Sequence, residues 1–80
     1  MKPRYREVPE RVAALTEIWR QVLEDPSLDE NAEIFNNGGS SMHVLQIAGQ
    51  IYEVLGADVR LRHIFTNGSP SRLSAFMENE

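Results

Sequence analysis

Between Pro9 and Leu23 the apolar residues return at helical spacing. Val12, Leu15, Trp19, Val22 and Leu23 fall on one face with Ile18 at its edge, while Arg11, Glu17, Arg20 and Glu24 lie off that stripe. The pattern predicts a helix that begins near Pro9, where proline suits the first turn. It should end at Asp25-Pro26, because the residue before a proline avoids the α region. Trp19 on such a stripe is a core residue. A second helix is predicted from Ser41 to Leu55 with Gly56 as its stop. At 100° per residue Val44, Ile47, Ala48, Ile51 and Leu55 make one stripe. Ser41 lies at its margin, and Met42, Leu45 and Gly49 lie farther round on the same side. Ala57 to Arg60 reads as a short extended link. Leu61, Ile64 and Phe65 then suggest one helical turn closed by Thr66-Asn67-Gly68. Ser69-Pro70 starts a last helix, serine as N-cap and proline at the first position, with Leu73, Phe76 and Met77 as its buried face. No stretch alternates strictly and none repeats. The fold expected is all-α: a small antiparallel bundle of three main helices plus one short helix, with a long first crossing.

That crossing runs from Ser27 to Ser40. Leu28, Ala32, Ile34 and Phe35 are its apolar anchors, and Phe35 is expected to plug the core just ahead of the turn that follows. The turn is Asn36-Asn37-Gly38-Gly39-Ser40-Ser41. Asparagine and glycine favour turns and permit positive φ, and serine suits a helix N-cap. Outside the helices, residues 1–8 are expected to form a flexible N-terminal arm and residues 78–80 a flexible C-terminus. A single domain then covers residues 9–77, as befits 80 residues in all.

Composition narrows the chemistry. Twelve acidic residues against eight basic ones give a formal charge of −4, which argues against a nucleic-acid or anionic-membrane partner. Lys2, Arg4 and Arg6 make a small basic arm that reads as a solvated tail. There is no cysteine, so neither a thiol nucleophile nor a thiolate metal site exists, and stability should be modest without a staple. The stretch from Ile34 to Tyr52 lacks Asp, Glu, Lys and Arg but holds the polar turn, His43 and two glutamines, so it is no membrane span. No signal peptide is visible. A cytoplasmic protein is expected, and nothing in the sequence calls for more than a monomer.

The two histidines, His43 and His63, are far apart, and neither has a second ligand at metal-binding spacing on its helix face. A Ser41–His43 dyad is disfavoured, because residues two apart on a helix point about 200° apart. Gly38-Gly39 alone is too short for a phosphate-cradling loop. What remains is a serine hydroxyl presented at a helix N-terminus, in a chain without catalytic machinery. An anion attached there would meet free backbone N–H groups and the positive end of the helix dipole. That suits a substrate of other enzymes better than an enzyme. Met42 and Leu45 beside this serine form either a docking flank or a second, wider core stripe.

Gly38-Gly39-Ser40-Ser41-Met42 resembles the Gly-Gly-x-Ser-[Leu/Ile/Met] signature of phosphopantetheine-dependent carrier proteins. Ile18-Trp19-Arg20-Gln21-Val22-Leu23 resembles the first helix of peptidyl carrier domains from nonribosomal peptide synthetases. Ile34-Phe35, Leu61-Arg62-His63-Ile64-Phe65 and the Leu73…Phe76-Met77 helix stand in the expected order, so the resemblance covers about residues 10 to 77. It implies that Ser41 carries phosphopantetheine, donated from coenzyme A by a phosphopantetheinyl transferase, with Gly38, Gly39 and Ser40 as the motif loop. The arm's thiol would hold aminoacyl or peptidyl groups as thioesters. An adenylation enzyme would load it, and condensing, tailoring or thioesterase enzymes would act downstream, docking through Met42 and Leu45. Departures are visible too. Ser40 stands where peptidyl carriers usually have His and fatty-acid carriers Asp. The second helix offers only Glu53 as a carboxylate, His43 replaces an apolar residue, and Gly68 and Pro70 shift the usual proline pattern. The alternatives are an acyl carrier of fatty-acid or polyketide synthesis, an unmodified helical adaptor, and a small serine hydrolase. The start methionine and the length are those expected of a free-standing protein, and an excised domain would look the same.

Overall fold

A computed structural model describes residues 8–79; the basic arm with Lys2, Arg4 and Arg6 lies outside the described residues, as does Glu80. Among the described residues four α-helices follow one another: α1 (Val8–Val22), α2 (Ser41–Leu55), α3 (Leu61–Thr66) and α4 (Pro70–Glu78), with a 3-10 turn at Phe35–Asn37 just ahead of α2. Helix α1 packs against both α2 and α4, and α3 packs against α2. Among the described residues there is no strand, which is the all-α bundle the periodicity predicts.

One core joins all four helices to the long connection. Leu15, Ile18 and Trp19 come from α1, Val44, Ile47 and Ile51 from α2, Ile64 from α3 and Leu73 from α4. Leu28, Ala32 and Ile34 of the connection complete it. The connection is also tied down by hydrogen bonds. The Gly68 carbonyl accepts from the Trp19 indole N–H at 3.0 Å and from the Ile34 backbone N–H at 3.0 Å, so one oxygen links α1, the crossing and the α3–α4 link. The Arg20 guanidinium donates to the Leu28 carbonyl at 2.7 Å, and the Ser71 N–H donates to the Glu30 carbonyl at 2.9 Å. Buried polar groups satisfied in this way cost little, whereas each left unpaired would cost about 1–3 kcal/mol.

Four local expectations are corrected. Phe35 does not plug the core: its side chain is 48% exposed and stacks on the Phe65 ring, centroids 5.6 Å apart, while Ile34 is fully buried. The backbone fixes the choice, because a 3-10 turn begins at Phe35 and turns its side chain outward. Helix α1 ends at Val22, ahead of Asp25-Pro26. Glu24 adopts φ 55° there, and the Asp25 N–H returns to the Arg20 carbonyl at 3.0 Å, a C-terminal cap of the Schellman type. Arg11, off the apolar stripe, is nonetheless buried. Its Nε donates to Ser74 Oγ at 2.9 Å, and Nη2 reaches Glu78 Oε1 at 2.6 Å. Glu78 itself is the last residue of α4 and holds this guanidinium, so it is fixed where a loose end was expected.

Candidate functional site

The site grows from Ile34. Its side chain is in the core, and its carbonyl accepts from the Asn37 N–H at 3.1 Å and the Gly39 N–H at 2.8 Å. The turn therefore hangs from a buried residue. Its two glycines have different duties. Gly38 sits at φ 81°, ψ 10°, a left-handed conformation that disfavours side chains. A Cβ on Gly38 would meet nothing within 4 Å, so the space beside the turn is open. Gly39 is pressed onto Ile34: a Cβ there would collide with Ile34 Cγ2 and lie 2.7 Å from the Ile34 carbonyl oxygen.

Ser40 follows in extended conformation, φ −136° and ψ 178°, as the N-cap of α2. Ser41 is the first helical residue and is exposed. Of the two places expected for Ser40, capping the helix or lining the turn, it takes the first. Early N–H groups of a helix have no intrahelical acceptor, and the aligned peptides place partial positive charge there. Ser41 thus stands exposed at a pole suited to a phosphodiester, and the residues present would fit a phosphopantetheine group joined to its hydroxyl. Met42 and Leu45 are 62% and 53% exposed, which removes the wider-core alternative for both. Gly49, one turn farther along, is exposed as well. Gly38, Gly39, Ser40, Ser41, Met42 and Leu45 are all brought to one end of α2.

Two features escaped the sequence. The Phe35–Phe65 stack puts exposed aromatic surface at the turn and ties it to α3. His43, half-buried, is not paired with Ser41: its Nδ1 accepts the Ser40 backbone N–H at 2.9 Å and lies 3.1 Å from Ser40 Oγ. The spacing Ser40-x-x-His43 was a legible signal, since a capping box needs an acceptor three residues after the N-cap and an unprotonated imidazole nitrogen is one. His63 is half-buried, its ring 4.3 Å from that of Phe76. Among the described residues no group of three His, Asp or Glu side chains could hold a metal. No helix among them is long and apolar enough to cross a membrane.

Comparison with known proteins follows the same lines. The family described as "Phosphopantetheine attachment site" matches residues 13–77. Bacitracin synthase 3 of Bacillus licheniformis is 31% identical over 78 residues, 98% of this chain but 1% of that protein. A solved structure described as a nonribosomal PCP domain superposes with a TM-score of 0.74 at 26% identity, covering 81% of this chain and 83% of that one. BlmI, a type-II acyl-carrier-protein from Streptomyces verticillus involved in bleomycin biosynthesis, superposes with a TM-score of 0.83 at 17% identity, covering 90% of this chain and 87% of its own, which speaks to the fold alone.

Proposed function

The chain belongs to the phosphopantetheine attachment-site family, and from that membership we propose that it is a peptidyl (aminoacyl) carrier whose arm is joined to Ser41. One observation carries the assignment: Ser41 is the exposed first residue of a 15-residue helix, directly after a turn with open space beside it. A phosphopantetheinyl transferase would bind coenzyme A and this turn together. Ser41 Oγ attacks the phosphorus bearing the pantetheine, a phosphodiester forms, the pyrophosphate bond breaks, and adenosine 3′,5′-bisphosphate leaves; the serine proton passes to a base on the transferase. The arm supplies the thiol this cysteine-free chain lacks, and with it a thioester for the cargo. The chain's own residues do no bond-making beyond that oxygen: Ser40 caps the helix, Gly38 and Gly39 shape the turn, and the helix pole favours the phosphodiester anion. The carrier is a substrate of the transferase and of loading enzymes, not a catalyst.

An adenylation enzyme would load the thiol, and condensing, tailoring or thioesterase enzymes would take the cargo onward, in nonribosomal peptide or related natural-product biosynthesis. Met42 and Leu45, exposed beside the attachment point, suit brief apolar docking with each in turn. The carrier domain spans residues 9–77, and it works as a cytoplasmic monomer. An acyl carrier of fatty-acid or polyketide synthesis is the second reading. The presence of Glu53 as the one carboxylate on α2, against exposed Met42 and Leu45 beside the attachment point, favours the peptidyl type.

Intact mass after incubation with coenzyme A and a phosphopantetheinyl transferase tests this. The protein should gain one phosphopantetheine, Ser41→Ala should gain none, and Ser40→Ala should still gain it. Addition to Ser41→Ala but not to Ser40→Ala would move the site by one residue. Loading of the modified protein by an amino-acid-adenylating enzyme, and not by a malonyl-transferring one, separates the two carrier types.

A further inference from the structure

We propose that His43 is a positioning residue for the modification of Ser41, acting through the backbone of Ser40. The inference rests on Ser41 being the attachment site. In a capping box the residue three places after the N-cap is ordinarily Glu or Gln, whose side-chain oxygen accepts the N-cap N–H. Here an imidazole takes that place, with Nδ1 2.9 Å from the Ser40 nitrogen. A backbone N–H can only donate, so Nδ1 carries a lone pair and the ring proton sits on Nε2. The return contact, from the His43 backbone N–H to Ser40 Oγ, is present but falls short of full hydrogen-bond geometry. His43 therefore carries the stronger half of the box.

The consequence for Ser41 is geometric. Ser40 is held extended at φ −136°, ψ 178°, and Ser41 is the next residue, so the bond that fixes Ser40 also fixes where Ser41 Oγ projects. The turn before Ser40 is anchored through Ile34, but Ser40 and Ser41 are both exposed and lack side-chain packing to hold them. Without the His43 acceptor the first turn of α2 frays. A transferase must then reorder it on docking, which lowers the fraction of carrier competent to bind and raises the apparent KM with little change in kcat. An apolar residue in place of His43 fills the same space and supplies no acceptor.

His43→Leu and His43→Gln separate the roles, read by transferase kinetics with coenzyme A and by amide exchange at Ser40 in the unmodified protein. In His43→Leu, KM for the carrier should rise, by up to about fivefold, the size of one capping interaction, and the Ser40 N–H should exchange about fivefold faster. His43→Gln, whose Oε1 can accept the same N–H, should stay within about twofold of the parent in both, by the same capping-box geometry. Unchanged KM and unchanged Ser40 exchange in His43→Leu would overturn the proposal. So would a His43→Gln variant as impaired as His43→Leu. Should the parent protein itself gain no mass at Ser41, the attachment reading falls and the positioning role with it, whereas normal modification with these variants unaffected removes His43 alone.

Discussion

Adjacent residues Ile34 and Phe35 have opposite fates. Ile34 is buried, offers its carbonyl to two turn amides and sends its N–H to Gly68. Phe35 is about half exposed and touches Phe65. Truncating a buried isoleucine to alanine leaves a cavity as well as losing burial, so Ile34→Ala should cost about 2–4 kcal/mol in denaturant unfolding. Phe35→Ala should cost about 1 kcal/mol, the worth of one surface aromatic pair. The sequence reading sent Phe35 into the core and was wrong, because the decision lies in the phase of one 3-10 turn. A second residue-scale effect is at Asp25. Its carboxylate accepts from the Ser27 hydroxyl at 2.6 Å and the Ser27 N–H at 3.0 Å, and these bonds hold its carboxyl below the ordinary 3.8. A depressed folded value means that the stabilisation is present above 3.8 and is lost as pH falls through the lower folded value. Thermal unfolding between about pH 5 and about pH 2 should show a smaller acid-induced loss in Asp25→Asn than in the parent.

Helix pairing raises a different question, since α1 meets α4 through a charged residue. Arg11 is nearly buried, and its partners are Ser74 and Glu78. The two ends of the ion pair are unequal: the Arg11 side chain is 9% exposed and that of Glu78 is 55% exposed. Solvent screens the Glu78 end, so the pair as such is worth little, whereas removing the guanidinium strands the buried Ser74 hydroxyl. Arg11→Ala should therefore cost about 1–3 kcal/mol, and Glu78→Gln less than about 1 kcal/mol, by chemical denaturation. Helical periodicity put Arg11 off the apolar stripe, which is right for its Cα but not for a long side chain whose stem can lie along the core while the head finds partners. Helix starts were more legible. Ser69 accepts the Arg72 N–H at 3.3 Å with Pro70 in the first position, and Gly56 takes φ 68° after α2, both read directly from residue type. The end of α1 was missed because Glu24 adopts a left-handed conformation that nothing about glutamate advertises.

At the scale of the molecule, the long crossing is part of the core rather than an appendage to it. Leu28, Ala32 and Ile34 belong to the same buried cluster as residues of all four described helices, and the Gly68 carbonyl binds both Trp19 and Ile34. Elements that share one core should open together. Native-state hydrogen exchange should therefore show the Ile34 amide protected to nearly the level of global unfolding, alongside the core amides of α2. The Asn36 amide, in the exposed turn at 3.2 Å from the Glu33 carbonyl, should exchange through local opening and much faster. Rigid support on one side of the turn and open space on the other is what the proposed tethering point would require.

The sequence by itself determined the number and order of helices, the caps at Ser40, Ser69 and Gly56, and the exposed serine at the head of α2. These follow from local spacing and from the backbone preferences of Ser, Pro and Gly, which act within a turn or two of the chain. Tertiary structure alone decided that Ile34 and not Phe35 enters the core, that Arg11 is buried against α4, that Gly39 must lack a side chain because Ile34 lies against it, and that Gly68 ties three segments together. Each of those depends on residues far apart in the chain meeting in space, and no local preference encodes such a meeting.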